Sequence, residues 1–101
     1  MKEFKRVTEF YSNSPLDKLY NTLACFADKS TSDYKFSDEN YKCKLSVLRE
    51  DNKVDLTVNI LQAEGDKYCV EFSRNKGDQL LFNEIFNQAR DFFGGYVNAV
   101  I

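Results

Sequence analysis

Three stretches of this chain alternate apolar and polar residues, and two others repeat apolar residues at helical spacing. Tyr41, Cys43, Leu45 and Val47 are separated by Lys42, Lys44 and Ser46. Val54, Leu56, Val58 and Ile60 are separated by Asp55, Thr57 and Asn59, and Tyr68, Val70 and Phe72 alternate with Lys67, Cys69, Glu71 and Ser73. A period of two puts every apolar side chain of such a segment on one face, which predicts three half-buried strands. Glu50-Asp51-Asn52-Lys53 and Glu64-Gly65-Asp66 are short polar turns between them, so consecutive strands must run antiparallel as a meander.

Upstream, Val7, Thr8, Phe10 and Tyr11 predict a first strand over residues 5–11. Ser14-Pro15-Leu16-Asp17 then reads as a helix start, with Ser14 as N-cap, Pro15 at the first helical position and Asp17 as a capping-box relative. Leu16, Leu19, Tyr20, Leu23, Phe26 and Ala27 share one helical face, and the helix should end within residues 28–30, before a Ser-Thr-Ser-Asp loop. A short extended piece follows at residues 34–36, with turn residues at 37–40. The chain closes with a second helix: Asp78 is the expected N-cap, and Gly94-Gly95 supplies the stop. Its wide apolar stripe is formed by Leu81, Phe82, Ile85, Phe86, Ala89, Phe92 and Phe93. The predicted fold is α+β: an antiparallel sheet of four to five strands with two helices packed on one face, in the order strand-helix-strands-helix. The opposite face, mostly polar, should meet solvent or a partner.

Composition sets the scale. The 101 residues suit one domain over 1–101, and 43% apolar residues, with nine Phe and six Tyr, supply one modest core. No apolar run approaches the roughly 20 residues needed to span a bilayer, and residues 1–7 lack a signal-peptide core, which predicts a soluble, intracellular domain. Fourteen basic against sixteen acidic residues give a net charge of -2, and the pI is near 5.1. That balance argues against nucleic acid as a partner, because such binding needs a basic surface to displace counterions. It weakens attachment to an anionic membrane while leaving room for a local basic patch.

The three cysteines, Cys25, Cys43 and Cys69, are widely spaced and odd in number. They predict core or sheet-face thiols and neither a zinc site nor a disulfide framework. The chain has no His, the commonest general base and transition-metal ligand. Glycine-rich phosphate loops, metal-spaced clusters and nucleophile elbows are missing, and Asp51, Glu64 and Asp66 fall in turns where solvated carboxylates are expected. Ser12, Ser14, Thr31 and Ser32 read as cap and loop residues. The reading is therefore of a binding module with no catalytic, cofactor-binding or metal residues.

One segment invites a functional reading. Arg74-Asn75-Lys76-Gly77-Asp78 links the last strand to the closing helix. It reads either as a plain turn, in which Gly77 takes a demanding backbone angle and Asp78 caps the helix, or as a basic lip, with Lys67 nearby, that contacts an acidic partner or lipid.

The stretch VDLTVNILQAEGDKYCVEFSRNKGDQLLFNEIFNQARDFF, residues 54–93, resembles the end of the kinase-associated-1 domain, a module at the extreme C-terminus of many eukaryotic Ser/Thr kinases. Val70-Glu71-Phe72, Arg74, Lys76-Gly77-Asp78 and Leu81-Phe82 match the family pattern in order and spacing. The opening KRVTEFYSNSPLDKLYNTL is similar to that of checkpoint effector kinases and of plant calcineurin-B-like-interacting kinases, with Thr8, Phe10 and Ser12 in place. Asp51-Asn52-Lys53 before an alternating strand also resembles the checkpoint kinase's turn, so the likeness covers about residues 5–93. One departure stands out: the family's Arg between Thr and Phe is Glu9 here, with Arg6 three positions before it.

The resemblance implies an antiparallel sheet with two helices on one face. It also implies a regulatory domain, most like that of a checkpoint effector kinase, which docks on the catalytic domain in cis and restrains it. Arg6, Thr8, Phe10 and Tyr11 would form one contact strip, and Arg74, Lys76, Gly77, Asp78 and Phe82 would form or support the other. Other branches of the family imply binding to anionic phospholipid, for which Lys42, Lys44, Lys67, Arg74 and Lys76 are the nearest basic patch, or to a phosphatase or adaptor protein. The chain would then be a monomer of nucleus and cytoplasm that needs no cofactor, ATP and Mg belonging to the parent kinase domain.

Overall fold

The computed structural model describes residues 8–37, 39 and 41–97. Strand β1 (Thr8–Ser12) leads to helix α1 (Leu16–Ser30), and β2 (Tyr34–Ser37), β3 (Lys42–Arg49), β4 (Asn52–Gln62) and β5 (Tyr68–Gly77) follow. Helix α2 (Gln79–Phe93) and a 3-10 turn at Gly94–Tyr96 complete the order. All neighbouring strands are antiparallel in one five-stranded sheet of order β1-β5-β4-β3-β2. The α+β architecture read from the sequence is the one observed.

The meander is as expected, but β1 pairs with β5, so the first strand lies beside the last. The chain must therefore cross from one sheet edge to the other between β1 and β2. Helix α1 makes that crossing: its 15 residues run about 22 Å, close to the roughly 19 Å width of five strands. The loop after it is pinned to β3. Thr31 Oγ1 donates to the Ser46 carbonyl at 2.7 Å, and Ser46 N donates to the Asp33 carbonyl at 2.9 Å.

The strand register puts Phe10, Val70, Phe72, Val58, Leu56 and Leu45 on one sheet face, and all of them join Leu19, Leu23, Phe26, Phe82, Ile85 and Phe93 of the helices in a single core. Phe10 sits at the centre of its aromatic part, 5.1 Å from Phe93 and 6.1 Å from Phe72, while Phe72 and Phe86 meet edge-on at 5.2 Å. At the opposite sheet edge Tyr20 packs edge-on against Phe36 and Tyr41. Both helices thus cover one face, and the other face of the sheet carries mostly polar residues, with Tyr11, Leu48 and Leu61 exposed among them.

Three local expectations change. Ser14 is not the cap of α1: Pro15 occupies the N-cap position without a side-chain cap bond, and its carbonyl accepts from Lys18 N and Leu19 N. The Ser14 N–H is taken by Ser12 Oγ at 3.1 Å, in a turn one step upstream. Tyr41 lies outside β3 with φ 49, in the turn before it, although its carbonyl still accepts from Ile60 N. Cys25 is exposed on α1 and is neither a core nor a sheet thiol, whereas Cys43 is in the core and Cys69 is buried on the sheet. The part of the predicted first strand at residues 5–7 lies outside the described residues.

Candidate docking surface

The corner at residues 74–78 is built by a bulge and a glycine. In the β4–β5 ladder Leu56 pairs with Arg74 and Asp55 with Lys76, so Asn75 is an extra residue with no partner across the ladder. Bulges of this kind bend a strand and re-aim its side chains. Asn75 turns over the outer sheet face, where its Nδ2 donates to Thr57 Oγ1 at 2.6 Å and so satisfies a buried hydroxyl. The Arg74 guanidinium folds along the corner and donates to the Gly77 carbonyl at 2.6 Å.

Gly77 has φ 108, a conformation that side chains disfavour, and a Cβ there would stand 2.2 Å from the Lys53 carbonyl oxygen. The close approach lets Asp78 N reach the same carbonyl at 3.4 Å. Asp78 then caps α2 as the sequence predicts, with Oδ2 accepting from Leu81 N at 2.8 Å. The corner is thus held by bonds on both sides, and it presents the exposed Arg74 and Lys76 from a fixed backbone.

The residues expected to make contacts separate into two groups. Tyr11 is exposed on the outer face, and its hydroxyl donates to Glu9 Oε2 at 2.8 Å, which raises its pKa. Thr8 is half-buried opposite Phe72 on the inner side. Phe10 and Phe82, at 5% and 1% exposure, are core residues, so they support the surface and cannot touch a partner. Phe10 is not part of a contact strip because of its phase: it is on the strand face that meets α2, and Glu9 and Tyr11 take the outer one. Arg6 lies outside the described residues.

The expected lipid patch does not assemble as one surface. Lys42 and Lys44 share the outer face of β3. Lys67 stands in the turn before β5, where its carbonyl accepts from Ala63 N. That is about 23 Å along the strand from Arg74. The structure instead gathers lysines that sequence reasoning left out. Lys35 on β2 lies directly across from Lys44, and Lys53 joins Asp55 and Lys76 at the corner.

Between these lysines runs a groove of about 310 Å³ across β2 to β5, lined by Lys35, Lys44, Ser46, Asp55 and Asn75 among others. Ser46 Oγ donates to Asp55 Oδ1 on its floor. The only sequence signal was phase: Lys35 and Lys53 each stand next to an inward apolar position, but which strand lies beside which decides whether they meet.

Two thiols are chemically silenced. Burial pushes Cys43 up to about 12 from its ordinary 9.0. Burial and then the charge of Glu9 raise Cys69 to about 11. Among the described residues no group of three His, Cys, Asp or Glu could hold a metal ion, and no helix is long and apolar enough to cross a membrane. The surface offers exposed cations and amides on an open sheet face. Compared with models of known protein families, the chain matches none.

Proposed function

We propose that this chain is a non-catalytic regulatory module of a checkpoint-type Ser/Thr protein kinase, acting by autoinhibitory docking on the kinase catalytic domain. The observation that supports this reading is the corner at residues 74–78. The residues through which the chain resembles kinase-associated-1 domains, Arg74, Lys76, Gly77 and Asp78, stand together there, two as exposed cations and two as the backbone device that holds them. A corner that only closed a helix needs Gly77, Asp78 and the bond from Arg74 to the Gly77 carbonyl, but has no use for Lys76 held in the open.

Docking within one polypeptide need be only moderately favourable. A coupling of about 1–3 kcal/mol changes activity about 5- to 150-fold. Rim cations suit this task, because they steer and orient a partner more than they tighten it. The test is the activity of the parent kinase's catalytic domain with this chain added in trans over a concentration series. Saturable inhibition, weakened by Lys76→Glu or Arg6→Glu, is the expected result; no inhibition at any concentration overturns the reading.

A second reading, attachment to anionic phospholipid, draws on Lys42 and Lys44 sharing one sheet face. Each basic residue near a charged membrane adds roughly 1 kcal/mol, so several must act together. The separation of Lys67 from Arg74 leaves the patch smaller than that reading needs. Its mark is vesicle binding that falls steeply as salt rises.

A further inference from the structure

The outer sheet face carries an arrangement that costs stability without an evident structural return. Lys35 and Lys44 are direct partners across the β2–β3 ladder. Opposed side chains of this kind have Cβ atoms about 5 Å apart, and like charges there destabilise a sheet. Lys53 and Lys76 line a second, smaller depression beside it, and Asp55 borders both. These four lysines are set against Asp33 and Asp55 in the lining of the two adjoining depressions, so the surface is locally basic on a chain whose net charge is -2.

We propose that this groove is a docking site for an acidic peptide segment, held in extended form across strands β2 to β5. The span sets its length: from Lys35 to Lys76 is three strand spacings across and two residues along, about 16 Å, which an extended segment of about five residues covers. Charge complementarity sets its chemistry, with carboxylates toward the Lys35–Lys44 pair at one end and toward Lys53 and Lys76 at the other. The floor between them carries acceptors as well as donors. The Asp55 carboxylate and the Asn75 amide meet the N–H and C=O groups of a peptide backbone, whereas the phosphates of a lipid surface offer acceptors only and would face Asp55 unfavourably. Leu48, 66% exposed beside Lys53 in the same ladder, adds an apolar contact for one side chain of the segment. The site does not depend on the kinase reading, since any protein with such a segment would fit it.

The test is a nuclear magnetic resonance titration of the intact chain with a terminally blocked pentapeptide of four glutamates around a central leucine. The expected result is saturable shifts of the amides of Lys35, Lys44, Asp55 and Asn75. The double variant Lys35→Glu/Lys44→Glu should raise Kd at least about tenfold, while Arg90→Glu on α2 leaves Kd unchanged. Both variants alter exposed side chains, and an unchanged thermal transition shows that each still folds. Equal binding of the all-lysine counterpart, or an acidic-peptide affinity indifferent to the double variant, overturns the proposal. So does a silent peptide titration, including the case in which phosphatidylserine vesicles bind the chain and the double variant abolishes that binding.

Discussion

At the scale of single residues, Gly77 and the cysteines make the sharpest claims. A methyl group at Gly77 would press into the Lys53 carbonyl at 2.2 Å and Val54 Cα at 2.7 Å, both of them backbone atoms that cannot swing aside. Gly77→Ala should therefore lose more than about 3 kcal/mol in urea unfolding. Gly65 is also left-handed, with φ 59, but has nothing within 4 Å of a Cβ; Gly65→Ala should lose about 1–2 kcal/mol, the conformational cost alone. Thiol reagent should label Cys25 in the native protein while sparing Cys43 and Cys69, and should label all three after denaturation. The same burial sets a pH dependence. Unfolded thiols ionise near their ordinary 9.0, but the folded ones only near about 12 and 11, so the unfolded state gives up protons first. Stability from these groups is complete below about pH 9 and declines as pH rises toward 11, and a thermal-melt series across that window should show the fall. Sequence reasoning placed Cys43 by its alternation, but Cys25 sits on a helix, where the apolar face can be misjudged by one position.

At the scale of elements, the two helix starts compare directly. Asp78→Ala removes the side-chain acceptor for Leu81 N and should cost about 1 kcal/mol, read by urea unfolding. Ser14→Ala should cost only a few tenths of a kcal/mol, because Ser14 stands ahead of the N-cap of α1 and gives that helix no side-chain cap. Both serine and aspartate are good cap residues, so composition could not separate them; the difference is that Pro15 is extended, with ψ 148, so the helix starts one residue later and Ser14 stands ahead of the cap position. The strands were legible in the sequence because each has one buried face, which fixes phase and register together. Their ends were less so: β5 runs on through the polar residues 74–77, where ladder bonds and not apolar burial extend it. Strand β1 was legible as a strand but not as the neighbour of β5, since nothing in five residues names a partner on the far side of the chain.

At the scale of the whole molecule, sheet order predicts how the fold opens. Strand β4 is paired on both sides and packed under both helices, whereas β2 is a four-residue edge. Hydrogen exchange should be slowest in β4 and the adjoining half of β5 and fastest in β2; equally slow exchange in β2 would contradict the edge placement. The same order decides the surface. Periodicity by itself told that Lys42 and Lys44 point away from the core, and that Phe82 belongs to an apolar stripe. It could not tell that Lys35 would stand opposite Lys44, that Lys53 and Lys76 would meet beside Asp55, or that Asn75 would bulge over Thr57. By itself the sequence determined the element types, the α+β class and the one-sided core, because burial acts on residues two, three or four apart and leaves its period in the chain. Only the tertiary structure decided the proposed docking surface, because its charges come from strands up to about 40 residues apart in the chain, and no local pattern records which distant positions a hydrogen-bonded register will bring to within about 5 Å.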